Sequence, residues 1–280
     1  MESVATMIKE RDKARKEVED LHQESRKVYF IHYSCESFDK DSSTGSVKVA
    51  QISIGRLLDG QTQSWSILKS AELQGCLDTI PENFNRLEKM MLDGFFQFLS
   101  KHDDCYFVHW NMRNDHYGFP ALEHRHRALG GVPCVVRDAQ KIDLSRLLWR
   151  LYGDHYANHT SKSGKPGRLF RLIELNSIGD KGALPGEAEP KAFEAGDYLK
   201  VQESTLRKLE IFNCIFELAR RKKLKTDTSW LDTSRLHPLL ILDTIKRHWL
   251  VTLILFGTSL ITALIKLRGW IEPFYSNTNS

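Results

Sequence analysis

The sequence predicts an α/β domain, a mixed five-stranded sheet with flanking helices, between a charged N-terminal helix and an apolar C-terminal helix. Three observations lead there. Three β-branched and aromatic runs come first, the second and third separated by the Asp59-Gly60 turn signal. Short apolar runs then alternate with segments of helical period. Last, Trp249–Ile265 carries no charge at all.

Composition sets outer bounds. Of 280 residues, 41% are hydrophobic and 27% charged, which excludes disordered and collagen-like classes. Forty Lys+Arg against thirty-six Asp+Glu leave +4, too little to imply a nucleic-acid binder from charge alone. The five cysteines (Cys35, Cys76, Cys105, Cys134, Cys214) are odd in number and never paired as C-x-x-C. That spacing argues against a disulfide framework and a cysteine zinc site, and for a reducing compartment. Met1–Lys27 is charged throughout and lacks a signal-peptide core.

The elements follow in order. Met7–Lys27 reads as an exposed helix with sparse apolar positions, including Val18 and Leu21, and as a short coiled coil through which the chain would form oligomers. Val28–Glu36, Ser46–Leu57 and Gln61–Leu68 read as an antiparallel meander. Pro81 opens a helix whose apolar stripe is Phe84, Leu87, Met91, Phe95 and Phe98. Cys105–Trp110 is a short buried strand. Asp115–Leu129 reads as a helix closed by Gly130-Gly131, and Val132–Val136 as the fifth strand. Asp143 caps a helix through Tyr152. Asn158–Gly167 is a loop, Arg168–Asn176 a helix, Ser177–Pro190 a connection and Val201–Lys223 a long closing helix. The α/β domain is expected over 28–225, with a juxtamembrane linker at 226–248.

Trp249–Ile265 lies near the lower length limit for crossing a bilayer. Lys246, Arg247, Lys266 and Arg268 flank it, with Trp249 and Trp270 at interfacial positions. It is expected to be a single-pass transmembrane helix, followed by a short tail, 266–280. Basic residues before it, Arg220–Lys225 among them, would keep the main domain cytoplasmic and touch anionic lipid.

Two segments carry chemistry. The first strand ends in Ser34-Cys35-Glu36, and strand alternation puts Ser34 and Glu36 on one face. The fourth strand runs into His109-Trp110-Asn111-Met112-Arg113-Asn114-Asp115. With the element order, these segments make Tyr29–Leu218 resemble the DEDD-type 3′–5′ exonucleases, of ribonuclease H-like fold. The resemblance implies a two-metal site in which four carboxylates hold Mg²⁺ or Mn²⁺ and cleave phosphodiesters. It assigns metal-ligand positions to Glu36 and Asp115, places Ser34 where an Asp is lost, and puts His109 and Asn111 in the second motif. Asp115 reads equally as a plain helix N-cap. The third motif, a His five residues before an Asp, is missing. Ser204 stands near its place, with Glu194, Asp197 and Glu203 as candidate substitutes. The resemblance thus implies a retained fold and an eroded site.

Other clusters are less specific. Arg125, Arg127 and Arg137, with Lys162, Lys165, Arg168 and Arg171, could form a phosphate-binding rim, though a solvated surface explains any one of them. His155 and His159 are spaced for zinc but lack a third ligand. No Walker loop, GxSxG elbow or GxGxxG is present. Three functions stay open. One is a membrane-anchored pseudoenzyme binding nucleic acid or a protein partner, with bacterial defence as an analogy. The others are an active metal-dependent nuclease and a membrane-bound interaction module.

Overall fold

The computed structural model describes residues 4–37, 46–113, 116–228 and 249–276. Strand β1 (Val28–Cys35) lies at the centre of a five-stranded sheet. It pairs antiparallel with β2 (Val49–Arg56), which pairs antiparallel with β3 (Thr62–Ser66). On its other side β1 pairs parallel with β4 (Tyr106–His109), and β4 parallel with β5 (Lys141–Asp143). The order is β3-β2-β1-β4-β5. The meander and the parallel placement of the fourth run beside the first are as expected from sequence.

All eight residues of β1 are buried, so helices cover both faces of the sheet. Tyr29, Ile31, Tyr33 and Cys35 enter one core with α3 (Ile80–Ser100) and α4 (Phe119–Ala128). Val28 and Phe30 enter a second core with α5 (Leu144–Tyr152), α6 (Arg168–Leu175) and most of α8 (Tyr198–Arg220). The stripe expected on α3 is there: Phe84, Leu87, Met91 and Phe95 are buried, and Phe98 packs against them.

Several expectations need correction. The third strand stops at Ser66, whose hydroxyl accepts from the Lys69 amide and caps a further helix, α2 (Ile67–Gln74). Helix α4 begins only at Phe119, because Pro120 sits in its first turn. The fifth strand is not Val132–Val136, where Val132 and Val135 are exposed; it is Lys141–Asp143. An apolar run has no strand without a ladder partner, and β4 offers its edge to the later segment. The closing helix α8 begins three residues earlier than expected, and α7 (Ala188–Glu194) precedes it.

The N-terminal helix, α1 (Val4–Gln23), is not a free coiled-coil strand over its described length. Ala14, Val18 and Leu21 are buried in the second core. The Arg15 guanidinium donates to the Ala219 carbonyl at 2.7 Å, and Arg150 pairs with Glu17 at 2.5 Å. Its apolar stripe is used for packing against the domain.

At the other end, Trp249–Ile265 is helical within Trp249–Ser276. Side chains are described there over 253–266, and Leu255, Phe256, Leu260 and Ile265 are each more than half exposed. Among the described residues, however, no helix is long and apolar enough to cross a membrane. The transmembrane helix expected over 249–265 is thus not found among the described residues, which show a helix with exposed apolar side chains. The linker expected at 226–248 lies mostly outside the described residues. Asp227 belongs to the domain, where it accepts from Arg171 at 2.5 Å.

One buried ion pair ties the first core together. Arg125 on α4 donates to both oxygens of Glu88 on α3, at 2.9 and 2.6 Å. Glu88 also accepts from the Val49 amide of β2 at 2.7 Å. Burial raises the Glu88 carboxyl, and the Arg125 charge opposes that shift. Breaking such a pair leaves an uncompensated charge in the interior. Arg125→Ala is therefore expected to lower unfolding free energy by about 3–5 kcal/mol. The isosteric pair Arg125→Met with Glu88→Gln should lose less. Urea denaturation of the three proteins measures both.

Candidate functional site

The C-terminal ends of β1 and β4 open into a cleft of about 500 Å³, floored by His32 and walled by Trp110, Arg113, Tyr117, Arg168 and Lys208. His32 reaches it because β1 alternates: odd positions serve the first core, and His32 faces α8 with Phe30. Lys208 reaches it from α8, one turn after Ser204.

Charge in the cleft is organised in pairs. Lys208 holds Glu189 of α7 at 2.6 Å, and both side chains are nine-tenths buried. His32 Nε2 lies 3.5 Å from the same carboxylate, and His32 Nδ1 is 3.1 Å from the Tyr117 hydroxyl. Burial alone would raise Glu189, but Lys208 and His32 hold it well below the usual carboxylate range. Burial, reinforced by Lys208, lowers His32 and keeps it neutral near pH 7. Farther along, Arg113 pairs with Asp143 at 2.8 Å, and Arg168 with Asp154 at 3.2 Å. Asp143 also caps α5, as expected, by accepting from the Ser145 and Arg146 amides.

The sequence-derived site residues are distributed otherwise than expected. Ser34 is buried with its hydroxyl 2.7 Å from that of Thr205 on α8. Glu36 does not join it. The β1–β2 register slips between Ser34 and Cys35, and the Glu36 carboxylate accepts from the Lys48 amide at 2.8 Å. A bulge breaks the strict alternation on which the shared face depended. Asp115 lies outside the described residues, so its separation from Glu36 does too. His109 faces the first core against Phe119, with Nδ1 accepting from the Met112 amide at 3.2 Å. Asn111 adopts a left-handed backbone (φ 57°), and its side-chain oxygen accepts from Arg113 at 2.7 Å. Among the described residues, Asn111 and Arg168 of the expected site line the cleft, with Trp110 between the two motif positions, and so does His159.

The expected phosphate rim is not a single surface. Arg125 is buried in the Glu88 pair, and Arg127 is 3.3 Å from Glu123; both belong to α4, on the first-core side. Lys162, Lys165 and Arg168 lie on the second-core side, where Lys165 pairs with Asp180. The sheet stands between the two groups. Arg171 is buried in a bidentate pair with Asp227.

The described donors do not fit a two-metal centre. Among the described residues no cluster of three or more His, Cys, Asp or Glu is placed to hold a metal ion. The buried carboxylate beside the cleft, Glu189, already carries an ammonium. A second cation there would meet Lys208 rather than the anionic oxygens Mg²⁺ requires. Ser204 is used structurally, accepting from the Leu184 amide at 3.0 Å. Glu194, Asp197 and Glu203 are exposed around the start of α8 and line no part of the cleft.

Sequence reasoning missed His32, Tyr117, Glu189 and Lys208. Two of them had a signal. His32 precedes Ser34 by two on the same strand, and Lys208 follows Ser204 by four on the same helix face. Nothing in the sequence joins Glu189 to either.

The buried histidines set a pH dependence. Burial lowers His109 to about 4, although Asp143 pulls it upward. The unfolded chain protonates near 6.5, so stability is full above that pH and is lost as pH falls towards 4. His109 accounts for on the order of 3 kcal/mol of that loss. His109→Asn keeps the acceptor for Met112 and should flatten the decline. Urea midpoints at pH 7 and 4.5, for both proteins, read it directly.

Compared with known proteins, the chain matches no family model, no curated protein and no solved structure.

Proposed function

We propose that the chain is a membrane-associated, non-cleaving protein of exonuclease-like, ribonuclease H-like architecture that binds nucleic acid. The observation that carries this reading is the pairing of sheet order with cleft chemistry. The order β3-β2-β1-β4-β5, two antiparallel contacts then two parallel ones, is the arrangement that the resemblance implies. Its cleft opens at the C-terminal ends of β1 and β4, where sheets with parallel strands present ligand sites. Lys208 and His32 line that cleft, and its described lining contains no Asp or Glu. Exposed ammonium and guanidinium groups suit a phosphate backbone, and among the described residues the lining offers no carboxylate oxygens to a metal.

Membrane association rests on the C-terminal helix. Its described large apolar side chains, Leu253 to Ile265, are exposed, which water disfavours and a lipid surface accepts. The basic residues before it would then face anionic headgroups.

The full-length protein, incubated with labelled single-stranded RNA and DNA in Mg²⁺ or Mn²⁺, is expected to bind without shortening either strand. Affinity should fall steeply as salt rises from 50 to 200 mM, as counterion release requires. Shortening that Glu36→Ala abolishes would establish the metal-dependent nuclease instead. Flotation with anionic vesicles, lost on removing 249–280, tests the membrane part.

A further inference from the structure

We infer that the cleft is a pocket for one nucleotide unit, with the base on Trp110 and the phosphate on Lys208 and Arg168. The inference deepens the nucleic-acid reading, on which it rests for the strand-borne form of the ligand.

The lining supplies both halves of that chemistry. Among the described residues it contains three cations (Arg113, Arg168, Lys208) and two histidines, and no Asp or Glu. The counter-acids Glu189, Asp143 and Asp154 touch those cations without lining the cleft. An approaching ligand therefore meets the donors and not the carboxylates. Lys208 is nine-tenths buried and has three N–H donors, one of them engaged by Glu189 at 2.6 Å. Arg168 lies over the Tyr156 ring at 5.1 Å, and its Nε is buried without a partner. A phosphate accepts from several such donors at once.

The apolar half selects what carries the phosphate. Trp110 is half-buried on the cleft wall, and Phe212 backs it in a near-parallel stack, 6.0 Å between centroids and 15° between planes. A backed indole is a rigid platform for a flat ring, and base–aromatic stacking tolerates any base. The volume, about 500 Å³, lies in the ~300–1,000 Å³ range of small-molecule sites. The anion expected is thus a nucleoside monophosphate, free or at the unpaired end of a strand.

Calorimetry on the full-length protein in detergent, with AMP, adenosine and inorganic phosphate as separate probes, tests the pocket. AMP should bind at least about tenfold more tightly than either half alone. Arg168→Gln should weaken AMP about tenfold and leave adenosine unchanged. Trp110→Ala should weaken adenosine and leave phosphate unchanged. Arg168 pairs with an exposed Asp154, so its removal leaves no buried charge behind. No AMP binding, or phosphate binding as tight as AMP, overturns the pocket. A single-stranded oligonucleotide that AMP displaces identifies the strand-borne form. AMP binding with no oligonucleotide binding keeps the pocket and overturns the nucleic-acid reading. Oligonucleotide binding indifferent to AMP and to Trp110→Ala does the reverse.

Discussion

The structure depends on a central strand buried on both faces. Every residue of β1 is shielded from water, and its side chains alternate between two cores. That constraint forces a helical layer onto each side, because an uncovered face would leave Phe30 or Ile31 in solvent. It also explains why α1 packs where it does: Ala14, Val18 and Leu21 complete the second core beside α5 and α8. The parallel pairing of β4 needs a long crossover, and α3 supplies both the crossover and the lid of the first core.

Burial on both faces makes every polar residue of the sheet a matter of pairing. Two buried ion pairs differ in consequence. Glu88 and Arg125 are closed off, with the arginine also bonded to Asn85 and Ser46, so the pair holds α3, α4 and β2 in place. Glu189 and Lys208 lie beside an open cleft, and the lysine keeps donors to offer. Placement relative to the sheet edge separates a pair sealed in the core from one beside an open cleft, since desolvation is complete for the first and partial for the second.

The same logic redistributes the residues that the sequence singled out. His109 and Ser34 are both buried and bonded within the fold, to the Met112 amide and to Thr205. A histidine with its acceptor nitrogen on a backbone amide and a hydroxyl joined to a helix hydroxyl support the ends of β4 and β1. They position the cleft without entering it. The side chains that do enter include the cations Arg113, Arg168 and Lys208 and the aromatic rings of Trp110 and Tyr117.

By itself the sequence determined the α/β class, a mixed five-stranded sheet with the first four strands placed, the parallel fourth strand, the apolar stripe of α3 and the Asp143 cap. These follow from alternation, helical period and local side-chain–backbone bonds, all of which act over a few residues. It misplaced the fifth strand because Val132–Val136 has strand composition but no neighbour, and ladder partners are chosen across the fold. It paired Ser34 with Glu36 because a one-residue slip opposite β2 is invisible in one strand alone. Only the tertiary structure brought His32 of β1, Glu189 of α7 and Lys208 of α8 together, and divided the basic residues between two sides of the sheet. Those contacts join positions far apart in the chain, and electrostatic pairing is set by distance in space, which no local pattern encodes.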